Sequence, residues 1–480
     1  MAVSAGAAIF LAGALRDPSS PYLLVGLTAA AVGLAIPAYL RGARDPLSPA
    51  LAFAAIFFVY YVLRPLHVLS SGVLGPAKSS YDTPIAAVLP SVRMALLLAA
   101  FGVASFFLAY IAAIRKPSRS LTDERVEHAW LALEREHFHF AVVIASICAI
   151  AFIGTLVIKS GGLAAYLGQI GYRQHTFTNI AFLTQLALPI KSVLFVALLS
   201  RRAPRPQRAS WRLILLLGAL AATTDVFTGG RANLIIGTIL PALLIVHYAL
   251  RPLRAHTVIV AGLVLLAIAI SFRVVFRDSQ FSGSSDHSRT SLLQQAYRQP
   301  LDAVVGGHDT IAFDSLATLN GAYQQNTPRQ WGVTYLDTLA FPVPRALWLG
   351  KPLGGGSAWF TSTYFSGYYG PDHVETSVTM LGEAQANFGL IGVLLVPGLL
   401  GFGLASLYRR MMVRPTPKAI LVYANVLPYA YTFVRGDAYH SIPLALLASG
   451  TSLLALAYCS RPVPSAARLR VGGIGVASGS

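Results

Sequence analysis

The sequence predicts an all-α polytopic membrane protein of about twelve spans with one large, partly helical extracytoplasmic loop. Three observations predict it. The 480 residues are 55% hydrophobic and 12% charged, with a mean hydropathy of +0.61, too apolar for an ordinary soluble protein. Apolar runs long enough to cross a hydrocarbon core of about 30 Å recur along the chain. Basic residues occupy every second connection between those runs.

In chain order the runs lie near 21–40, 47–66, 92–113, 139–158, 179–200, 211–227, 232–250, 256–275, 380–408, 419–434 and 441–459. A shorter run, Ala2 to Leu15, reads as a first span, because it lacks the basic flank of a signal peptide. With the N-terminus inside, the inner connections carry Arg41 and Arg44, then Arg115, Lys116 and Arg119, then Arg201, Arg202, Arg205 and Arg208. Arg251 and Arg254 follow, then Arg409, Arg410, Arg414 and Lys418. The outward connections are 67–90, 159–178, 228–231, 276–379 and 435–440. Four regions result: a transmembrane bundle at 1–275, the loop domain at 276–379, further spans at 380–460 and a cytoplasmic tail at 461–480.

Several classes fall away. The net charge of +18 belongs to the inner connections, and no clustered basic and aromatic surface motif points to nucleic acid. Cys148 and Cys459 both sit in apolar spans, so neither a disulfide framework nor a cysteine metal site is indicated. Gly354-Gly355-Gly356 lacks the spacing of a nucleotide-binding loop. With no Asp-x-Asp pair and no His/Asp cluster at ligand spacing, no metal or other cofactor is expected. Residues 114–138 read as an amphipathic surface helix.

Candidate chemistry gathers on the outward side. Asp225 and Arg231 flank Thr228-Gly229-Gly230, a turn tight enough for close approach of a ligand. Arg231 either snorkels to the interface or binds an anionic head group. Arg273 and Arg277, spaced i,i+4, share a helix face at a span end, a geometry that interfacial anchoring or a bound diphosphate would satisfy. Arg173 adds a cation on the same side, and Arg435, Asp437 and His440 form a polar cluster at the last outward turn. In the long loop, periodicity predicts helices over 288–304 and 309–324, with Asp309 as a cap. Trp359, Tyr364, Phe365, Tyr368 and Tyr369 either stack on sugar rings or pack the loop onto itself. Glu383 enters an apolar span, where it needs an arginine partner or serves as a base.

Four stretches carry a resemblance. Gly161-Gly-Leu-Ala-Ala-Tyr166 followed by Arg173, Phe227-Thr-Gly-Gly-Arg231, Phe341-Pro-Val-Pro-Arg-Ala-Leu-Trp-Leu-Gly-Lys-Pro352 and Leu381-Gly-Glu-Ala-Gln-Ala-Asn-Phe-Gly-Leu-Ile-Gly392 together resemble the Wzy-type O-antigen polymerases. The resemblance implies a GT-C-like fold and metal-independent transfer of a glycan from undecaprenyl diphosphate to an incoming lipid-linked repeat unit. It implies a bacterial cytoplasmic membrane with an outward active site, and partners such as a chain-length regulator and a flippase. Arg173 and Arg231 match its functional arginines, and Arg273, Arg277 and Arg345 are further candidates. Lys351, Arg435, Tyr368 and Tyr369 complete the expected substrate contacts, and Glu383, His440 and Asp225 are the candidate bases. A ligase of the same broad fold, a polyprenyl-phosphate sugar transferase and a transporter with Lys191 and Pro189 lining its path stay open.

The arginine alternation makes a direct prediction. In intact cells, an impermeant thiol reagent labels Ser284→Cys but not Ser210→Cys. The opposite pattern overturns the topology.

Overall fold

The computed structural model describes residues 20–42, 44–75, 83–114, 131–169, 181–203, 207–228, 231–273, 305, 310–324, 328–343, 347–348, 350–351, 354–365 and 376–462. For 131, 167–169, 181–182, 231–232, 265–273, 322–324 and 461–462 it describes the backbone alone. Seven helices among these residues are long and apolar enough to cross a membrane. They are α1 (Pro21–Arg41), α2 (Pro49–Ser71), α3 (Ile85–Ala113), α4 (Arg135–Lys159), α6 (Leu183–Ser200), α13 (Met380–Val413) and α15 (Ala438–Cys459). The remaining apolar runs are also helical: α7 (Trp211–Phe227), α8 (231–250), α9 (Ala255–Arg273) and α14 (Pro417–Arg435). Short helices complete the set: α5 (Leu163–Gln169), α10 (Ala312–Gln324), α11 (Val333–Ala340) and α12 (Gly355–Tyr364). The protein is all-α in architecture and built of apolar helices suited to a bilayer. The run Ala2 to Leu15 lies outside the described residues.

Helix starts follow local chemistry. Ser210 and Thr416 cap α7 and α14, their hydroxyls accepting from Leu213 N–H and Ala419 N–H. Pro21 and Pro49 sit in the first turns of α1 and α2, where the missing N–H costs nothing. The core between α2 and α3 is aromatic: Phe53 stacks on Phe106 at 5.0 Å, and Phe57 meets Phe106 edge-on at 5.2 Å. Helices α3 and α13 cross at Gly401, where a Cβ would lie 2.2 Å from the Phe106 carbonyl oxygen, so the backbones touch directly.

The connections fall into two groups. At the basic end, buried Asp45 accepts hydrogen bonds from Leu47 N–H (3.0 Å), Tyr408 Oη (3.0 Å) and Tyr248 Oη, and pairs with His247 Nε2 at 2.9 Å. One carboxylate thus ties together the connections beside Arg44, Arg251 and Arg409. The expected surface helix over 114–138 is corrected in its described part. Strand β1 (Leu131–Leu133) pairs antiparallel with β2 (Ser460–Pro462), satisfying backbone groups that leave the end of α15, and helix begins only at Arg135.

At the opposite end, the loop segments are held by one buried ion pair. Arg64 Nε and Nη2 donate to the two oxygens of Asp314 at 2.8 Å each. Nη1 donates to Val305 O (2.8 Å) and Nη2 to Gly75 O (2.6 Å), and Gly75 N–H returns a bond to Asp314 at 2.9 Å. A widened turn over Val59–Leu63 immediately precedes Arg64. Asp314 belongs to α10, the helix expected over 309–324. The helix expected at 288–304 and the Asp309 cap lie outside the described residues.

Helix α13 is not one straight rod. Gly389 adopts φ 61° and ψ −144°, which breaks the helix into a short half, 380–388, and a long one. The break frees the Ala386 carbonyl, which accepts from Gln330 N–H at 3.0 Å, and Asn387 Oδ1 accepts from Gly332 N–H at 2.8 Å.

The Arg64 pair makes a stability prediction. Asp314→Asn leaves a guanidinium buried without its counter-charge and lowers unfolding stability by about 3–5 kcal/mol. Arg64→Met combined with Asp314→Leu recovers much of the loss. Thermal unfolding of the detergent-solubilised protein reads both, and a silent Asp314→Asn contradicts the assignment.

Candidate functional site

At the loop end, α6, α7, α8, α14 and α15 enclose a cavity of about 130 Å³. Its charged centre is a buried pair: Lys191 Nζ donates to Asp225 Oδ1 at 2.5 Å, and Thr238 Oγ1 donates to Asp225 Oδ2 at 2.6 Å. The partners come from three helices. Lys191 stands midway along α6, in the first turn after its 3-10 opening, Asp225 in the last turn of α7, and Thr238 in a widened turn over Ile235–Ile239 of α8. Gly237 makes room for the ammonium, since a Cβ there would lie 2.7 Å from Nζ. A buried charge pair is tolerated in this setting only because each member is compensated.

The turn after Asp225 is held from both sides. Thr228 Oγ1 donates to Asp225 O (2.6 Å) and accepts from Asn233 Nδ2 (2.8 Å). Asn233 also lines the cavity, together with Gln185, Tyr429, Tyr431, Arg435 and Leu444. Tyr431 Oη lies 3.2 Å from Tyr60 Oη of α2. The formal charge of Lys191, Asp225 and Arg435 together is positive. A wall of cations, tyrosines and amides suits an anionic, hydroxyl-rich ligand.

Beside the cavity, the N-terminus of α15 carries a second polar group. Asp437 is its N-cap and is fully buried. Asp437 Oδ1 accepts from His440 N–H (3.0 Å) and lies 2.9 Å from His440 Nδ1, while Oδ2 accepts from Ser357 N–H (2.9 Å). Burial alone pushes this carboxyl up. The His440 ring, His440 N–H and Ser357 N–H together outweigh it and hold Asp437 below the usual carboxylate range, at about 2. As an ionised acceptor, Asp437 fixes Nδ1 of His440 as the donor, which assigns Nε2 the lone pair in the neutral ring. The His440 side chain is 44% exposed, against 0% for Asp437. His440 and Leu444 are one turn apart on the same face of α15, so the imidazole stands one turn from the cavity wall.

Glu383 completes this group from behind. It is fully buried in the short half of α13, with Oε1 accepting from Thr334 Oγ1 (2.8 Å) and Oε2 from Ala438 N–H (2.9 Å). Of the two expectations for Glu383, an arginine partner or a base, the described contacts supply neither directly: a threonine hydroxyl and the positive end of α15 hold the carboxyl group. Gly354, Gly355 and Gly356 owe their identity to close approach. A Cβ at Gly355 would lie 2.3 Å from Tyr439 Cβ, and one at Gly356 would lie 2.9 Å from Glu383 Oε1.

The predicted residues therefore separate. Asp225 and Arg435 line the cavity, His440 adjoins it, and Glu383 supports the same helix end from within. Lys351 closes its own loop, donating to Phe341 O (3.1 Å) and Val343 O (2.8 Å) and lying 5.9 Å over the Tyr439 ring. Arg231 opens α8 two residues before Asn233, and Arg273 ends α9, each with backbone alone described. Arg173, Arg277, Arg345, Tyr368 and Tyr369 lie outside the described residues. Trp359, Tyr364 and Phe365 pack around Phe360 and Leu319, the self-packing alternative.

Two residues gain weight that the sequence did not give them. Lys191 pairs with Asp225 in the cavity wall, and Asp437 orients His440. An Asp followed three residues later by His at a helix start is the legible signal for the second. Compared with known proteins, the chain matches no family model, no curated protein and no solved structure.

Proposed function

We propose that the protein is a glycosyltransferase that joins undecaprenyl-diphosphate-linked oligosaccharide repeat units into a surface polysaccharide. The observation that carries this reading is the cavity lined by Lys191 and Arg435, one helical turn from an imidazole oriented by a buried carboxylate. The basic end faces the cytoplasm by the positive-inside rule, so the cavity opens on the outer face of a bacterial cytoplasmic membrane. About twelve spans and a GT-C-like arrangement belong to the same proposal.

The chemistry needs two functions. The non-reducing-end hydroxyl of the acceptor must lose a proton as its oxygen bonds to the anomeric carbon of the donor. The bond from that carbon to the diphosphate oxygen breaks, and its electron pair leaves with undecaprenyl diphosphate. His440 Nε2 takes the proton, and Asp437 stabilises the imidazolium that results. Lys191 and Arg435 face the charge that develops on the leaving diphosphate, where fixed cations in a partly dry site act strongly. Arg231, carried by the turn between Asp225 and Asn233, is assigned to the same diphosphate on the strength of the resemblance. Glu383, with both oxygens engaged, positions the end of α15. Asp225, held by Lys191 and Thr238, keeps the ammonium in place.

Purified protein in proteoliposomes, supplied with lipid-linked repeat units alone, is expected to yield a ladder of products on a gel. Product formed only after a second acceptor is added identifies a ligase, and substrate moved without any new bond identifies a transporter. Within the polymerase reading, His440→Ala lowers the rate by roughly 10²–10⁴. Arg231→Lys, which keeps the charge but not the planar fork, lowers it by on the order of 10². Both variants insert normally, and Arg202→Lys at the basic end is silent. A wild-type ladder from His440→Ala removes the histidine from the mechanism.

A further inference from the structure

The long loop carries a strip of exposed apolar side chains. Trp331 is 74% exposed, Leu336 63%, Leu339 77% and Leu347 80%, and Val333 and Trp348 are exposed as well. Val333, Leu336 and Leu339 recur every third residue of α11 and so form a stripe along one side of the helix. The other side is fixed in place: Thr334 is buried on Glu383, Ala340 is buried, and Asp337 Oδ2 accepts from Gly355 N–H at 3.4 Å. A rigid helix presenting a contiguous apolar face of this kind marks an interaction surface.

What covers it follows from its neighbour. A Cβ on Gly332 would lie 3.2 Å from the Phe388 ring, and Tyr335 stacks on Phe388 with ring centroids 5.9 Å apart. From Phe388 an exposed apolar stripe runs on through Ile391, Leu395, Leu399 and Phe402 of α13. That helix is long and apolar enough to cross a membrane, so its exposed stripe faces acyl chains. The α11 stripe begins where the α13 stripe ends. Trp331 and Trp348, before and after α11 in sequence, are exposed, and indole rings favour the boundary between acyl chains and head groups.

We propose that α11 is an interfacial helix, lying in the leaflet at the loop end of the bundle with Val333, Leu336 and Leu339 against lipid acyl chains. Its reverse side then makes it the partition between the bilayer and the buried Glu383 and Asp437. The inference rests on exposure and packing and is independent of the transferase reading.

Site-directed spin labelling tests it on the full chain in lipid nanodiscs. The background is Cys148→Ser with Cys459→Ala, and labels are placed singly at Leu336→Cys and Leu339→Cys. Ile391→Cys serves as the lipid-facing reference and Thr363→Cys, exposed and polar on α12, as the aqueous one. Labels at 336 and 339 are expected to match 391, reached readily by oxygen and several-fold less by a water-soluble nickel chelate than the label at 363. Accessibility matching 363 overturns the proposal, and so does exclusion of both reagents, which would indicate protein, such as a second copy, on the stripe. Where the cysteine-free chain does not fold, brominated lipids quench the otherwise native protein. Trp331→Phe combined with Trp348→Phe is expected to lower the quenched fraction, and an unchanged fraction overturns the proposal.

Discussion

Arg64 cannot be buried in this bundle without a carboxylate, and the carboxylate that reaches it comes from 250 residues away in sequence. That single demand fixes α10 against α2 and α3. From α10 the restraint passes on: Ser315, next to Asp314, donates to Ser377 O at 2.6 Å, and the Ser377 hydroxyl donates to the Arg435 carbonyl. The same segment, 376–379, provides the N-cap of α13 through Thr379. An ion pair at one corner therefore determines where Arg435 stands in the cavity and where Glu383 enters the core. The loop end is organised from that pair outward.

The interior handles charge by two further devices. Lys191 and Asp225 neutralise each other inside the cavity wall, so the ammonium is not stranded in an apolar setting. Asp437 and Glu383 meet at one helix start, where backbone N–H groups of Ser357, His440 and Ala438 donate to them. The three consecutive glycines at 354–356 let backbone, rather than side chains, fill the space around them. The outcome is a rigid acidic base beneath a partly exposed imidazole. Such an arrangement holds a proton acceptor in one orientation, which is what a positioned base requires.

Much of this architecture was legible in the sequence, for physical reasons. Apolar runs of bilayer length and the alternation of arginines report on each span locally, and the helix at 312–324 announced itself by periodicity. Asp225, Arg435 and His440 stood out because they gather at the outward ends of apolar spans, where ionisable residues that face a bundle interior are often functional. What escaped was pairing at a distance. Nothing near Lys191 in sequence points to Asp225, and nothing near Arg64 points to Asp314. Glu383 reads as pairing with an arginine or serving as a base, and nothing in the sequence points to the Thr334 hydroxyl and the Ala438 N–H that donate to it. The break at Gly389 was hidden inside a continuous apolar run, since hydropathy is blind to a single positive φ.

The central claim is that the cavity beside His440 receives a lipid-linked diphosphate. The most direct measurement is a cryo-EM map of the protein in lipid with a non-transferable undecaprenyl-diphosphate glycan bound. The account predicts diphosphate density within hydrogen-bonding reach of Lys191 and Arg435, with the first sugar toward the His440 imidazole. Density at Arg273 and Arg277, with the cavity between α6, α7 and α14 empty, would contradict it.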